Sequence, residues 1–324
     1  MMRGRLPTAS LAVAAILSGC GGGGDSGDTV AATTLYVPWP TPFYAVTAET
    51  DIVYGQGEIN GGGEWQDLTL DLYRPDEWSS NPNKKFPLLL MIHGGGFTRG
   101  SKENANLVGY ALEYAQRGWL VAAINYRLVD DDPVPSSRMQ SLYEHVGNGD
   151  ISLYNRTVVA AIDDTLTAIE FLQMRNDVYT PWTSVWGISA GGVVALNGTY
   201  VLDDHGIARP DIAAAITVSG HFGANGAYLG GTPFDDPAGT DPPLLIIHGT
   251  ADSNFELAQS AAVLAAEAPL IFDFQQVADG GHVLDLQTLN SDTGVPLLQH
   301  SVDYLLETVF SGYESGPATA PMTD

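Results

Sequence analysis

The feature that most constrains this chain is a set of short apolar runs with no polar interruption. They are Pro87–Ile92 (PLLLMI), Trp119–Ile124 (WLVAAI) and Leu244–Ile247 (LLII). A strand with one wet face alternates apolar and polar residues, so a strand that is apolar throughout must be covered on both faces. Parallel sheets flanked by helices provide that cover. Thr183–Ile188, Ile212–Val218 and Leu270–Val277 read as further strands. Helical patterns separate them. Leu107–Arg117 stops at Gly118, and Val159, Ile162, Leu166 and Ile169 form one stripe within Val158–Leu172. Ala190–Tyr200, the alanine-rich Glu256–Ala266 and the set Leu298, Val302, Leu305 and Val309 give three more helices. The alternation predicts the α/β class, with a mostly parallel central sheet and helices on both faces. Leu68, Leu70 and Leu72 alternate with Thr69 and Asp71, which predicts an antiparallel N-terminal edge.

Three stretches fall outside this rhythm. Leu35–Tyr44 has three prolines and four aromatics, which predicts an extended strap packed over the domain surface. Residues 129–152 are polar and without a clear period. A loop of that length in a compact domain is often functional, so it reads as a lid or pocket wall, with a solvated insertion as the other reading. Gly230–Pro243 is a Pro-Gly-Asp loop. The catalytic domain is expected over 35–312, with a C-terminal tail over 313–324.

The first residues read as an address. Arg3 and Arg5 precede the short apolar run Leu11–Leu17, and small residues follow. That is the layout of a secretory signal peptide, over 1–19, and the run is too short to span a membrane. Leu17-Ser18-Gly19-Cys20 resembles the bacterial lipobox. The resemblance implies cleavage before Cys20, lipidation of its thiol, and a glycine-rich tether over 20–34. Localisation is then the bacterial cell envelope, with Gly22 leaning towards the outer membrane. More than one acyl chain is needed for stable anchoring, and a lipoprotein carries them.

Composition narrows the partners. Lys+Arg number 13 against 38 Asp+Glu, for a net charge of −25, and Lys occurs only at 84, 85 and 102. Nucleic-acid binding needs a basic patch, so no nucleic-acid partner is expected. A single Cys excludes an internal disulfide and a Cys-rich metal site. No metal-ligand spacing and no dinucleotide fingerprint occurs, so neither metal nor cofactor is expected.

The chemistry gathers at strand ends. Gly187-Ile188-Ser189-Ala190-Gly191 lies between a strand and a helix, the context that a G-x-S-x-G turn requires. His93-Gly94-Gly95-Gly96-Phe97 closes the strand PLLLMI, where glycines let backbone N–H groups face a developing oxyanion. A serine nucleophile needs a base, and the base needs an orienting acid. Asp252 follows the strand LLII, and His282 follows the next strand. His248 precedes the acid and reads as a brace for its own turn. Asp279 and Asp285 are alternative acids that sit too near His282 in sequence. Asp163 and Asp164 read as helix-surface or loop-bracing groups, and His145 and His205 as exposed. His300 falls on the last helix. Phe97, His221, Phe222 and Tyr228 are candidate pocket walls by their place in strand-end loops, with packing as an equal reading for His221.

HGGGF, GISAG, HGTAD and GGH, in that order, resemble the α/β-hydrolase superfamily. More narrowly they resemble its esterase/lipase group with an HGGG oxyanion motif. Gly100-Ser101-Lys102 and Asn125-Tyr126-Arg127 also look like this group. The resemblance implies Ser189 as nucleophile, His282 as base and Asp252 as orienting acid, with the N–H groups of Gly95, Gly96 and Ala190 as the oxyanion hole. It implies a serine carboxylic ester hydrolase acting on small-molecule or polymeric esters without a cofactor. Acyl transfer to another acceptor and a non-catalytic surface-binding lipoprotein are the alternatives. The long tract after Tyr126 departs from the group's pattern, so substrate preference does not carry over.

Overall fold

The structure is a computed structural model that describes residues 33–76, 83–147, 152–223, 229–236, 240–291 and 293–317. Cys20, the expected signal peptide, residues 148–151 and Tyr228 lie outside the described residues. The strands are β1 (Thr34–Val37), β2 (Val46–Ile59), β3 (Glu64–Pro75), β4 (Lys84–Ile92), β5 (Leu120–Ile124), β6 (Val178–Ile188), β7 (Ala214–Val218), β8 (Leu244–Gly249), β9 (Phe272–Val277) and β10 (Gly316–Pro317). The helices are α1 (Ala105–Ala115), α2 (Gln140–Gly147), α3 (Leu153–Gln173), α4 (Ala190–Tyr200), α5 (Phe255–Glu267) and α6 (Leu297–Thr308).

The sheet runs β2-β3-β5-β4-β6-β7-β8-β9. The pairs β2/β3 and β3/β5 are antiparallel, and every later neighbour is parallel. This is the expected fold class, antiparallel edge included. Side chains alternate across the sheet and feed two cores. Leu88, Leu90 and Ile92 join α3, α4 and α5 on one face. Leu89 and Met91 join α1 and α6 on the other. Burial on both faces is why β4 carries no polar residue after Lys85. Among the described residues no helix is long and apolar enough to cross a membrane.

Three local expectations change. The strap is only partly a surface feature. Its first residues form β1, which adds to β4 in parallel and pairs with β10, burying Leu35 and Val37. The rest holds the end of α1, where the amides of Trp39 and Tyr44 donate to the carbonyls of Arg117 and Gln116. That is the end of the sheet at which β5 begins, opposite the strand ends that carry the candidate site. The tract 129–152 is not all loop, because α2 occupies its second half. Met139 and Leu142 are buried and Val146 packs beside them, at helical spacing. Of the two readings of Asp163 and Asp164, the structure drops the helix surface and keeps the loop brace: both are buried and accept from loop amides. Asp163 accepts from the amide of Ser136 at 2.7 Å and from Arg138 Nε at 2.6 Å, which pins the tract to α3.

Candidate active site

Ser189 stands between β6 and α4 with φ 54° and ψ −118°. A non-glycine residue reaches this region only under constraint, at a cost of about 1–3 kcal/mol. The constraint is visible on both sides. The Ser189 amide donates to Val218 O at 2.8 Å, extending the β6/β7 ladder, while its carbonyl accepts from the Val193 amide and starts the helix. Gly191 makes the bend feasible: a Cβ there would lie 2.2 Å from the Ile92 carbonyl oxygen. A serine at a helix start ordinarily spends its hydroxyl on capping. Here no capping bond forms, and Ser189 Oγ instead lies 2.7 Å from His282 Nε2.

The line continues inward. His282 Nδ1 lies 2.7 Å from Asp252 Oδ2, so the structure brings Asp252, rather than Asp279 or Asp285, to the imidazole. The His282 side chain is 41% exposed while that of Asp252 is 1% exposed, which gives the pair an open end and a dry end. Burial pushes the Asp252 carboxyl up, but the Asn254 amide and the imidazoles of His282 and His248 outweigh it. The net shift is below the ordinary aspartate value, so Asp252 is an anion at neutral pH.

His93–Phe97 forms the facing loop. Gly95 adopts φ 128°, and a Cβ on it would lie 1.8 Å from the Arg99 carbonyl oxygen, so no other residue fits. The loop is held from below by the two shorter motifs. The Tyr126 ring stacks on His93 at 4.2 Å, and its hydroxyl donates to His93 O at 3.0 Å. Asn125 Oδ1 accepts from the Lys102 amide at 2.8 Å. Arg127 is buried against Asp164, with Nη2 2.6 Å from Oδ1, and also donates to Glu58 O and Val134 O.

A cavity of about 190 Å³ opens over Ser189. Gly96, Phe97, Ala190 and His221 line it, as expected, together with His282. Gly95 stands one residue behind the lining. Tyr154, Val193, Ser219 and Asn254 also line it and were not singled out by sequence. Ser219 and Asn254 follow β7 and β8, and the rule that sites gather at the carboxyl ends of parallel strands covers both. Tyr154 meets Phe97 edge-on at 5.5 Å from the start of α3. Burial drives the His221 imidazole down to about 4, so it is neutral at pH 7. Phe222 is not a pocket wall. It is 1% exposed and packs edge-on against Tyr200 and Phe234 in the core, because the chain turns inward after His221.

Other histidines fall elsewhere. His145 is exposed, but His205 is half-buried, with Nε2 2.6 Å from Gly230 O. His300 lies on α6 and contacts Asp273. Among the described residues, Asp203, Asp204 and Asp235 form the acidic group compact enough to hold a cation, and all three are exposed and away from the cavity lining.

The chain is similar to several known proteins. Residues 70–140 match the BD-FAE family model. Tuliposide A-converting enzyme b1 of Tulipa gesneriana is 40% identical over 71 residues, covering 22% of this chain and 19% of that protein. Gut esterase 1 of Caenorhabditis elegans is 31% identical over 104 residues, covering 32% of this chain and 16% of that protein. The matches thus span a fifth or less of these relatives. Thermogutta terrifontis esterase 2 phosphorylated by paraoxon superposes with a TM-score of 0.59 at 22% identity, over 82% of this chain and 96% of that one. Its native form gives a TM-score of 0.57 over 82% and 95%. With the strand order, the strained serine turn and this superposition together, the chain has the α/β-hydrolase fold.

Proposed function

We propose that the chain is a serine carboxylic ester hydrolase. The observation that carries this is the line Ser189 Oγ–His282 Nε2 and His282 Nδ1–Asp252 Oδ2, both at 2.7 Å, on a serine held at positive φ. Neutral His282 takes the hydroxyl proton as Ser189 Oγ attacks the ester carbonyl. Asp252, ionised and dry, fixes the Nδ1–H tautomer and stabilises the imidazolium. The oxyanion meets the N–H groups of Gly95, Gly96 and Ala190, where one donor is worth about 3–4 kcal/mol. His282 then protonates the leaving alcohol, and water repeats the cycle on the acyl-enzyme.

The names of the matched proteins support this reading: an esterase of the worm gut, tuliposide-converting enzymes, and an esterase phosphorylated by paraoxon. The small cavity, walled by Phe97, Tyr154 and Val193, supports short acyl groups. The lipobox-like segment supports a lipid anchor at Cys20 in a bacterial envelope. Hydrolysis of p-nitrophenyl acetate by Ser189→Ala tests the reaction. Loss of about 10⁶ in kcat is expected, as for a comparable serine system, together with loss of labelling by paraoxon. Unchanged turnover would refute the assignment.

A further inference from the structure

Asp252 Oδ2 serves two imidazoles. His282 Nδ1 lies 2.7 Å from it and His248 Nε2 lies 2.8 Å from the same oxygen. His248 is fully buried on β8, four residues before Asp252. Sequence alone suggests a brace for the intervening turn, but the turn is already closed by backbone bonds. Thr250 N donates to Val277 O, Ala251 N to Gly280 O, and Asp252 N to Gly249 O, at 2.9, 2.9 and 3.1 Å. The backbone thus ties the turn to itself and to the loop after β9, while the imidazole bond falls on the one oxygen that the proposed base uses.

We propose that His248 is a positioning residue: a fixed neutral donor that shares Asp252 Oδ2 with His282, holds the carboxylate in line, and limits how basic the His282 imidazole becomes. This rests on the ester-hydrolase reading above. An ionised carboxylate can only accept, so both facing nitrogens carry hydrogen. His248 stays neutral because burial disfavours its charged form more strongly than Asp252 favours it. The titratable groups around it are Asp252 on the turn after β8, His282 beyond β9 and His221 beyond β7; the Gly220 carbonyl and the Phe255 ring complete its surroundings. Oδ1 is occupied separately by the Asn254 amide at 3.0 Å. Two donors on one oxygen each draw on the same negative charge. As His282 becomes imidazolium its bond must strengthen at the expense of the other, so His248 acts as a counterweight on the proton transfer.

The test compares pH profiles of kcat/KM for wild type, His248→Leu and His248→Gln on p-nitrophenyl acetate. Leu removes the donor, leaving Asp252 Oδ2 to His282 alone. The acid limb then moves up by about one pH unit, because a hydrogen bond to a charged group is among the stronger ones and its loss leaves Oδ2 more basic. Gln places an amide N–H near the Nε2 position and returns the limb close to wild type. A purely structural histidine would lower the plateau and leave the limb in place, and that result overturns the proposal. ¹⁵N imidazole spectra of the wild-type protein need neither substitution nor substrate. They should show His248 neutral and protonated on Nε2 throughout the titration, with its shifts following that of His282. A proton on Nδ1 instead overturns the proposal even if His248→Leu fails to fold. Failure of the underlying reading is separate: it appears as turnover surviving in Ser189→Ala.

Discussion

Asp164→Asn should destabilise the protein through a charge left behind rather than a contact removed. Arg127 places Nη2 2.6 Å from Asp164 Oδ1 and Nε 3.0 Å from Oδ2, and its own amide donates to Oδ2 at 2.9 Å. Both side chains are 2% exposed. Asparagine preserves the shape and cancels the charge. Breaking a buried pair in this way costs about 3–5 kcal/mol. Asp163 Oδ2, 3.7 Å from the same guanidinium, remains as a partial counterion, which favours the lower end. About 3 kcal/mol corresponds to a fall in Tm of roughly 6–12 °C for a domain of this size. Differential scanning calorimetry reads it directly. The double variant Arg127→Met, Asp164→Leu strands no charge and should recover at least half of the loss. A fall of less than about 2 °C in Asp164→Asn, or a double variant as unstable as the sum of its singles, would refute the reasoning. Activity below the transition should also fall, by about ten- to a hundredfold if the loop shifts by the order of 1 Å. Arg127 adjoins Tyr126, which supports the His93 carbonyl.

Gly191→Ala should abolish either soluble expression or paraoxon labelling, because its Cβ meets the Ile92 and His93 carbonyl oxygens at 2.2 and 2.6 Å; a labelled, soluble variant would contradict this. Burial holds His93, His221 and His248 below the ordinary imidazole value, His221 at about 4. The unfolded chain therefore takes up protons that the native state refuses. Stability is full above about pH 6.5 and falls as pH drops towards 4, by up to about 1.4 kcal/mol per unit for each fully buried imidazole; urea midpoints that stay flat across this window would count against it. Tyr154→Ala opens the cavity beside Phe97 and should raise octanoate over acetate selectivity about tenfold on p-nitrophenyl esters. Cys20→Ala should move the protein from the membrane fraction to the soluble fraction, and a variant that remains membrane-bound removes the proposed anchor.

The parallel half of the fold was legible because double-sided burial leaves an unbroken apolar signature, as in Leu88–Ile92 and Leu244–Ile247. The edge was not. β2 is a long strand of which Tyr54 and Gly57 are the buried members, and a bulge near Asp51 breaks its register against β3. Exposure and a bulge together erase the alternation that identifies a strand. Helix α2 was hidden by its length: eight residues give barely two turns in which to repeat. At the site, Ser189, Asp252 and His282 were legible because each follows a strand in a fixed chain order. Tyr154 was not, since nothing in the chain marks that the start of α3 comes over the cavity. Phe222 fails for the converse reason. Sequence position places a residue at a strand end, and only the path of the chain decides whether its ring turns to the cavity or the core.

The scarcity of base, first an argument about partners, has a second consequence in the structure. Four of the 13 cations are spent behind the site. Lys102 is buried among Asp51, Asp71 and Glu103, Arg127 against Asp164, Arg138 against Asp163 and Glu170, and Arg156 against Asp132. Each ties down the loops after β4 and β5 or the tract that leads into α3, the parts that carry Gly95, Gly96, Phe97 and Tyr154. None lines the cavity. Burial keeps His221 on the cavity wall uncharged, and behind His282 the charge of Asp252 is taken up by two imidazoles and the Asn254 amide. Under the proposed reaction a neutral ester would enter without losing a charge interaction, whereas the carboxylate released would meet no Lys or Arg among the described residues of the cavity lining, in a protein of net charge −25. The same distribution that makes the scaffold rigid also makes the product of the proposed reaction the poorer ligand, which favours turnover over retention.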